Sequence, residues 1–99
     1  MKKVIILEEA ARDLEEAFDF YENQETGAGN YFTSNILLDI EKLTTTSGIH
    51  PSEFGFLRKL SQKFPFAIYY RTNQTSVKIY AILDLRKNPS WVRDELKDR

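Results

Sequence analysis

Cysteine is absent from this sequence of 99 residues, and histidine occurs once, as His50. Without cysteine the chain forms no disulfide, no thiolate metal site and no thiol nucleophile. The sequence also lacks a glycine-rich phosphate-binding motif, paired zinc ligands and a serine–histidine pair placed for nucleophilic catalysis. We therefore expect no metal and no cofactor. His50 has no second histidine to act with, so we expect it to be a surface residue.

Long apolar segments are also missing. The apolar run near the start of the chain extends only from Val4 to Leu7, between two lysines and two glutamates. It is too short for a signal-peptide core or a membrane span. Hydrophobic residues make up 41% of the chain and charged residues 29%, as in an ordinary folded protein. We expect a single domain over residues 1–99, in the cytoplasm and without contact with a membrane.

The net charge of −1 conceals a separation of charge along the chain. Residues 1–53 contain four Lys and Arg against eleven Asp and Glu, a net charge of −7. Residues 54–99 contain ten against four, a net charge of +6, and Asp84 is the only acid between residues 54 and 93. Such an asymmetry indicates an electrostatic surface. We interpret the basic half as a partner surface, whereas solvated helix faces also explain the acidic half.

Hydrophobic periodicity predicts seven elements. A β-branched run indicates the first strand, apolar residues at spacings of three and four indicate two helices, and alternating residues indicate three more strands. The predicted bounds are a strand at 2–7, helices at 8–23 and 30–45, strands at 54–60, 66–71 and 77–83, and a helix at 90–97. Helices grouped ahead of strands predict an α+β fold. We expect the order β-α-α-β-β-β-α, with an antiparallel helical hairpin on one face of a mainly antiparallel sheet.

Turn-forming residues mark the breaks between these elements. Two glycines within residues 25–29 end the first helix, and residues 44–52 are expected to be a loop. Ser90 is expected to cap the C-terminal helix. The first strand is expected either at the sheet edge or in its interior. Strict alternation in the last strand would place these residues on one face: Val77, Ile79, Ala81 and Leu83.

Three segments carry a resemblance to a known family. They are "ARDLEEAFDFYENQETGAGNYF" at 11–32, "RKLSQKFPFAIYYR" at 58–71 and "VKIYAILDLRKNP" at 77–89. Together they resemble the RelE/ParE superfamily of bacterial type II toxin–antitoxin toxins, over almost the whole chain. The resemblance implies a small α+β toxin that arrests growth. It also implies a co-expressed antitoxin that neutralises the toxin in a hetero-oligomeric complex.

The resemblance leaves two activities open, because RelE-like members cleave messenger RNA on the ribosome and ParE-like members poison DNA gyrase. The ribonuclease branch usually carries arginine where this chain has Ala67, and tyrosine or histidine where it has Trp91 and Val92. Relatives often carry histidine or lysine at the position of Asp84. These departures, together with the net charge of −1, favour the ParE-like branch. A non-toxic relative that only binds antitoxin is a third possibility.

Basic residues are the candidate site residues. The expected contacts with the target or with nucleic acid are Arg58, Lys59, Lys63, Arg86 and Lys87. If the protein is a ribonuclease, the candidate catalytic residues are Lys59, Lys63 and Arg86, which would stabilise the phosphorane. Tyr80 and Trp91 are the candidate antitoxin groove. Several of these charges also have structural explanations: Arg58 and Lys59 can protect a sheet edge, and Arg71 can pair with Asp84 across neighbouring strands.

Overall fold

The computed structural model describes residues 1–99. Its elements are β1 (Lys3–Ile6), α1 (Glu8–Glu22), α2 (Ala28–Glu41), α3 (Leu43–Thr46), β2 (Ser52–Glu53), β3 (Phe56–Leu60), β4 (Phe66–Thr72), β5 (Ser76–Asp84) and α4 (Pro89–Lys97). The strands form one sheet in the order β1-β5-β4-β3-β2. β1 lies at the edge, parallel to β5, and all other pairs are antiparallel. The predicted α+β fold and the order of its main elements are confirmed.

The hairpin of α1 and α2 covers one face of the sheet because each helix buries a single apolar stripe. The two helices approach closely at Gly29, where a Cβ atom would lie 2.7 Å from the Phe18 ring. The carboxylate of Glu22 accepts hydrogen bonds from the backbone N–H groups of Gly27 and Gly29, at 3.1 and 2.9 Å. The core beneath the hairpin consists of Ala10, Ala17, Phe32, Ile36, Ile40, Leu43, Phe66, Ile68, Tyr70, Val77, Ile79 and Ile82.

The opposite face of the sheet is partly covered by α4, through a second core of Phe56, Ala67, Tyr69, Ala81, Leu83, Val92 and Leu96. The strict alternation predicted for β5 is wrong in its second half. Tyr69 pairs with Ala81 and Tyr70 pairs with Ile79, so Tyr80 has no partner and forms a β-bulge. The extra residue reverses the alternation. Ile82 therefore faces the hairpin with Ile79, while Ala81 faces α4.

An ionic cluster ties α4 to α1. The guanidinium of Arg99, just after α4, is only 7% exposed. It is bonded to Asp13, with Nη2 and Oδ1 3.0 Å apart, and it also contacts Glu95 at 3.1 Å and Glu9 at 3.3 Å. Asp13 in turn accepts a hydrogen bond from the backbone N–H of Ile82 at 3.0 Å. One arginine therefore links two helices and the sheet.

Three local predictions are wrong. The second helix ends at Glu41, and the predicted loop at 44–52 contains most of α3 and the start of β2. Asn88, and not Ser90, caps α4: its side chain accepts a hydrogen bond from the Ser90 N–H at 2.9 Å. His50, expected to be a surface residue, is only partly exposed, and its Nδ1 is hydrogen-bonded to the Tyr70 hydroxyl. None of the helices is both long and apolar enough to cross a membrane.

Candidate functional site

Arg86 is held in place by Asp84 at the end of β5. Nε and Nη2 of Arg86 donate to the two oxygens of Asp84 at 3.0 and 2.8 Å, and the Arg86 backbone N–H donates at 2.9 Å. Burial alone would raise the pKa of Asp84, but the hydrogen bonds and charge of Arg86 hold that pKa below its ordinary value. The predicted pair between Arg71 and Asp84 is wrong, since Arg71 lies opposite Lys78 at the other end of β4.

The loop between β3 and β4 meets the turn after β5. The backbone N–H of Leu85 donates to the carbonyl of Pro65 at 2.8 Å. The buried carboxylate of Asp39 on α2 fixes the start of the loop, because it accepts from Ser61 Oγ at 2.9 Å and from the Gln62 N–H at 3.3 Å. Lys63 in this loop and Arg86 after β5 therefore lie at the same end of the sheet.

A row of aromatic rings connects these two cations. Neighbouring ring centroids are 5.3 Å apart from Phe20 to Tyr21, 5.3 Å from Tyr21 to Phe64 and 5.9 Å from Phe64 to Tyr31. At one end, the Arg86 guanidinium lies 5.8 Å from the Phe20 centroid, and at the other, Lys63 Nζ lies 5.8 Å from the Tyr31 centroid. Phe20 is 49% exposed and Tyr31 57%. We call this the aromatic–basic surface: Phe20, Tyr21, Tyr31, Lys63, Phe64 and Arg86.

Arg58 and Lys59 do not belong to that surface. Adjacent residues of a strand point to opposite faces of the sheet. Arg58 lies opposite the buried Tyr69 and pairs with Glu53 at 3.2 Å, on the α4 side. Lys59 lies opposite Ile68, on the hairpin side.

Lys59 also acts on the single histidine of the chain. Burial lowers the pKa of His50, and the charge of Lys59 lowers that pKa further.

A larger basic cleft lies between the open part of the sheet and α4, and sequence reasoning missed it. Arg71 forms its floor: the guanidinium stands 4.2 Å from the Phe56 centroid and 5.0 Å from the Tyr80 centroid, and Nε donates to the Gly55 carbonyl at 3.1 Å. The cleft has a volume of about 540 Å³ and is lined by Phe54, Phe56, Arg71, Arg93, Asp94, Leu96, Lys97 and Arg99. The sequence did hold one indication of this cleft. Arg93 and Lys97 are four residues apart on the predicted helix, so both cations lie on one face of it.

The two residues of the predicted antitoxin groove occupy different places. Tyr80 packs against Phe56 and Arg71, which line the basic cleft. Trp91 lines a smaller cavity between α1 and α4, where Lys87 Nζ lies 4.8 Å from the centroid of its ring. The structure therefore does not bring Tyr80 and Trp91 together in one groove.

Comparison with known proteins shows a similarity at the level of structure. No family model matches the sequence, and no curated protein matches it significantly. A chain of the solved structure "Chromosomal ParDE TA system from P. aeruginosa" superimposes with a TM-score of 0.74 and 21% sequence identity. The match covers 86% of this chain and 97% of that chain. This chain shares the fold of that ParDE chain. The resemblance predicted from the sequence is thereby confirmed for the architecture.

Within this fold, the three candidate catalytic residues come from β3, from the loop between β3 and β4 and from the turn after β5. Lys59 is separated from β5 by β4, so about 10 Å of sheet lies between it and the strand that leads to Arg86. Lys63 stands over Tyr31 on the hairpin side, and Arg86 is already paired with Asp84. Stabilising one phosphorane requires cations aimed at the same oxygens. This arrangement is better suited to binding a surface than to surrounding a single phosphate.

Proposed function

We propose that this chain is the toxin component of a type II toxin–antitoxin module and that it acts as ParE-like toxins do, by binding. The fold carries the proposal, because the similarity to the ParDE structure extends over 86% of the chain. A cognate antitoxin is the expected partner, in a hetero-oligomeric complex. The net charge of +6 on residues 54–99 supports an antitoxin whose acidic residues meet this half of the chain.

The target of the toxin, in this proposal, is a protein machine, and DNA gyrase is the candidate for a ParE-like chain. The aromatic–basic surface supports a protein target. Arginine and aromatic residues are enriched among the interface residues that contribute most of the binding free energy. Asp84 holds the Arg86 guanidinium beside the half-exposed Phe20, so little conformational entropy is lost when a partner binds.

A ribosome-dependent ribonuclease is the second candidate function, and the basic cleft favours it. Arg71, Arg93 and Lys97 face one open space that is large enough for a nucleotide, and aromatic rings lie beside them. If the protein is a ribonuclease of this kind, its catalytic residues would lie in the cleft and would not be Lys59, Lys63 and Arg86. A relative that only binds antitoxin, without toxicity, is the third candidate.

Co-expression tests the toxin–antitoxin proposal. The chain is induced in bacteria alone and together with the product of the small reading frame that neighbours its gene. We expect growth arrest with the chain alone, restored growth with both, and co-purification of the two proteins. Normal growth despite abundant folded chain would contradict a toxin, and co-purification in that case would support the antitoxin-binding relative.

A further inference from the structure

A second cavity lies between α1 and α4, and its lining residues Asp13 and Glu95 bind Arg99, which lines the basic cleft. Its apolar lining includes Phe66 of β4 and Ile82 and Leu83 of β5, in the part of β5 that extends beyond its pairing with β1. One wall is Ala17 and the half-exposed Phe20, and the other is Trp91. The cavity has a volume of about 210 Å³, and its remaining lining residues are Asp13, Glu16, Asp84, Lys87 and Glu95.

The size of the cavity fits one large side chain. An engineered apolar cavity of about 150 Å³ in another protein binds benzene. A volume of about 210 Å³ therefore accommodates one aromatic ring with a short linker. The walls suit a ring as well, because Phe20 and Trp91 offer edges and faces for offset or edge-to-face packing.

The helical end of the cavity carries excess negative charge. Asp13, Glu95 and Glu9 share the single guanidinium of Arg99, and Glu16 on the cavity rim forms no ion pair. Three carboxylates thus line this end of the cavity, those of Asp13, Glu16 and Glu95, and Arg99 pairs with only two of them. Burial raises the pKa of Asp13, and the nearby charge of Glu16 adds a smaller increase.

The opposite end of the cavity has a different charge. Asp84 is neutralised there by Arg86, and Lys87 stands over the Trp91 ring. An occupant with a cation is therefore favoured at the end of Glu16 and Glu95, and is opposed at the end of Lys87. Charge and shape together give the occupant a direction along the cavity.

We propose that this cavity is an anchor site for a segment of the cognate antitoxin that carries an aromatic side chain beside a Lys or Arg. The ring enters between Phe20 and Trp91, and the cation reaches Glu16 and Glu95. This occupant rests on the proposed function, because the antitoxin is the partner which that function requires. The antitoxin would thus make two kinds of ionic contact. Its Lys or Arg would bind at this cavity, and its acidic residues would bind the basic half of the chain.

A small probe tests the cavity without any antitoxin. The folded chain is titrated with 2-phenylethylammonium and, separately, with phenylacetate, while the Trp91 indole N–H and the Ala17 methyl are followed by NMR. We expect the cation to shift both signals with a roughly millimolar Kd and the anion to bind at least about threefold more weakly. No saturable shift at Trp91 and Ala17, or equal affinity for both probes, would overturn the proposal.

Charge reversal on α1 supplies matched variants. Glu16→Lys places a cation on the rim, whereas Glu15→Lys makes the same change one residue away, where Glu15 is exposed and does not line the cavity. We expect Glu16→Lys to weaken the phenylethylammonium affinity by at least about threefold and Glu15→Lys to leave it unchanged. Equal effects of the two variants would mean that the field of the whole helix, and not this site, attracts the probe.

The complex with the antitoxin tests the identity of the occupant. We expect Glu16→Lys to weaken the affinity for the co-purified antitoxin and Glu15→Lys to preserve it. Ala17→Leu fills the cavity and should act as Glu16→Lys does, with the exposed Ala11→Leu on the same helix as its control. If the probe binds but the antitoxin affinity is unchanged in Glu16→Lys, the antitoxin is not the occupant. If no antitoxin exists, the proposed function fails, while the titration still decides whether the cavity is a binding site.

Discussion

Removing the Arg99 side chain should destabilise the fold through the charges that it leaves behind. In Arg99→Ala, the carboxylate of Asp13, whose side chain is only 11% exposed, loses its bidentate partner. Breaking a fully buried pair in this way costs about 3–5 kcal/mol. Glu9 and Glu95 are far more exposed, so solvent screens most of their contribution. We therefore expect a loss of about 2–3 kcal/mol in the free energy of unfolding.

The assay is thermal and urea unfolding followed by circular dichroism. For a domain of this size, a change of 1 kcal/mol shifts Tm by about 4–8 °C, so Tm should fall by at least about 8 °C. Arg93→Ala is the control, because Arg93 also lies on α4 but its side chain is more than half exposed and pairs only with the exposed Asp94. A loss below about 0.5 kcal/mol in Arg99→Ala would refute the reasoning, since that is typical of an ordinary surface substitution.

The pH dependence gives a second readout of the same cluster. The folded-state pKa of Asp13 already lies above its ordinary value, because burial outweighs the hydrogen bonds from Arg99 and Ile82. A raised carboxyl pKa favours folding at low pH, and that contribution is lost as the pH rises through the folded-state pKa. Without Arg99 the pKa rises further. The deficit of Arg99→Ala should therefore be largest near neutral pH and should shrink as the pH falls towards about 4.

Four further predictions concern other parts of the chain. Arg86→Gln should reduce toxicity at least about tenfold in the expression level needed for growth arrest, because it removes the fixed cation beside the aromatic row. Tyr70→Phe should cost about 1 kcal/mol of stability, since it removes a hydroxyl bonded to His50. The pKa of His50 is lowered by burial, so wild-type stability should fall as the pH drops below about 6.5, and His50→Gln should abolish that dependence. Gly29→Ala should cost about 1–3 kcal/mol because its Cβ would overlap the Phe18 ring.

The predictions for Arg86, His50 and Gly29 each have a result that would count against them. Full toxicity of a folded Arg86→Gln protein would remove Arg86 from the target surface, and Lys42→Gln is its control for the loss of one positive charge. An unchanged pH profile in His50→Gln would assign the dependence to another group. Gly27 has open space around its Cβ position but a φ of 92°, so Gly27→Ala measures backbone strain alone. A milder loss in Gly29→Ala than in Gly27→Ala would contradict the steric argument.

The architecture was predictable because it depends on patterns that repeat along the chain. The apolar stripes of α1 and α2 and the alternation in β4 each involve several residues that point to the same element. The bulge at Tyr80 depends on one extra residue, and nothing in its neighbours distinguishes it from a regular strand. The choice of Asn88 over Ser90 as helix cap was similarly close, because both residue types are good caps. Local competition of this kind is decided by tertiary packing.

The candidate site was predicted less well than the fold, for a related reason. Arg58 and Lys59 are adjacent in sequence and were grouped, yet strand geometry places them on opposite faces. A pair between Arg71 and Asp84 was predicted from their places on neighbouring strands. The register separates them by the length of β4. The ionic cluster of Arg99 and the row of rings from Phe20 to Tyr31 join segments that are distant in the sequence. No local sequence pattern could therefore predict them.

The most direct test of the central claim is to induce the chain alone in bacteria and to measure thymidine and methionine incorporation in the same culture over the first minutes. A toxin that binds DNA gyrase predicts that DNA synthesis falls before protein synthesis. Arg86→Gln should delay that fall, while the fold remains intact. A fall in protein synthesis first would contradict the ParE-like proposal and would direct attention to Arg71, Arg93 and Lys97 in the basic cleft.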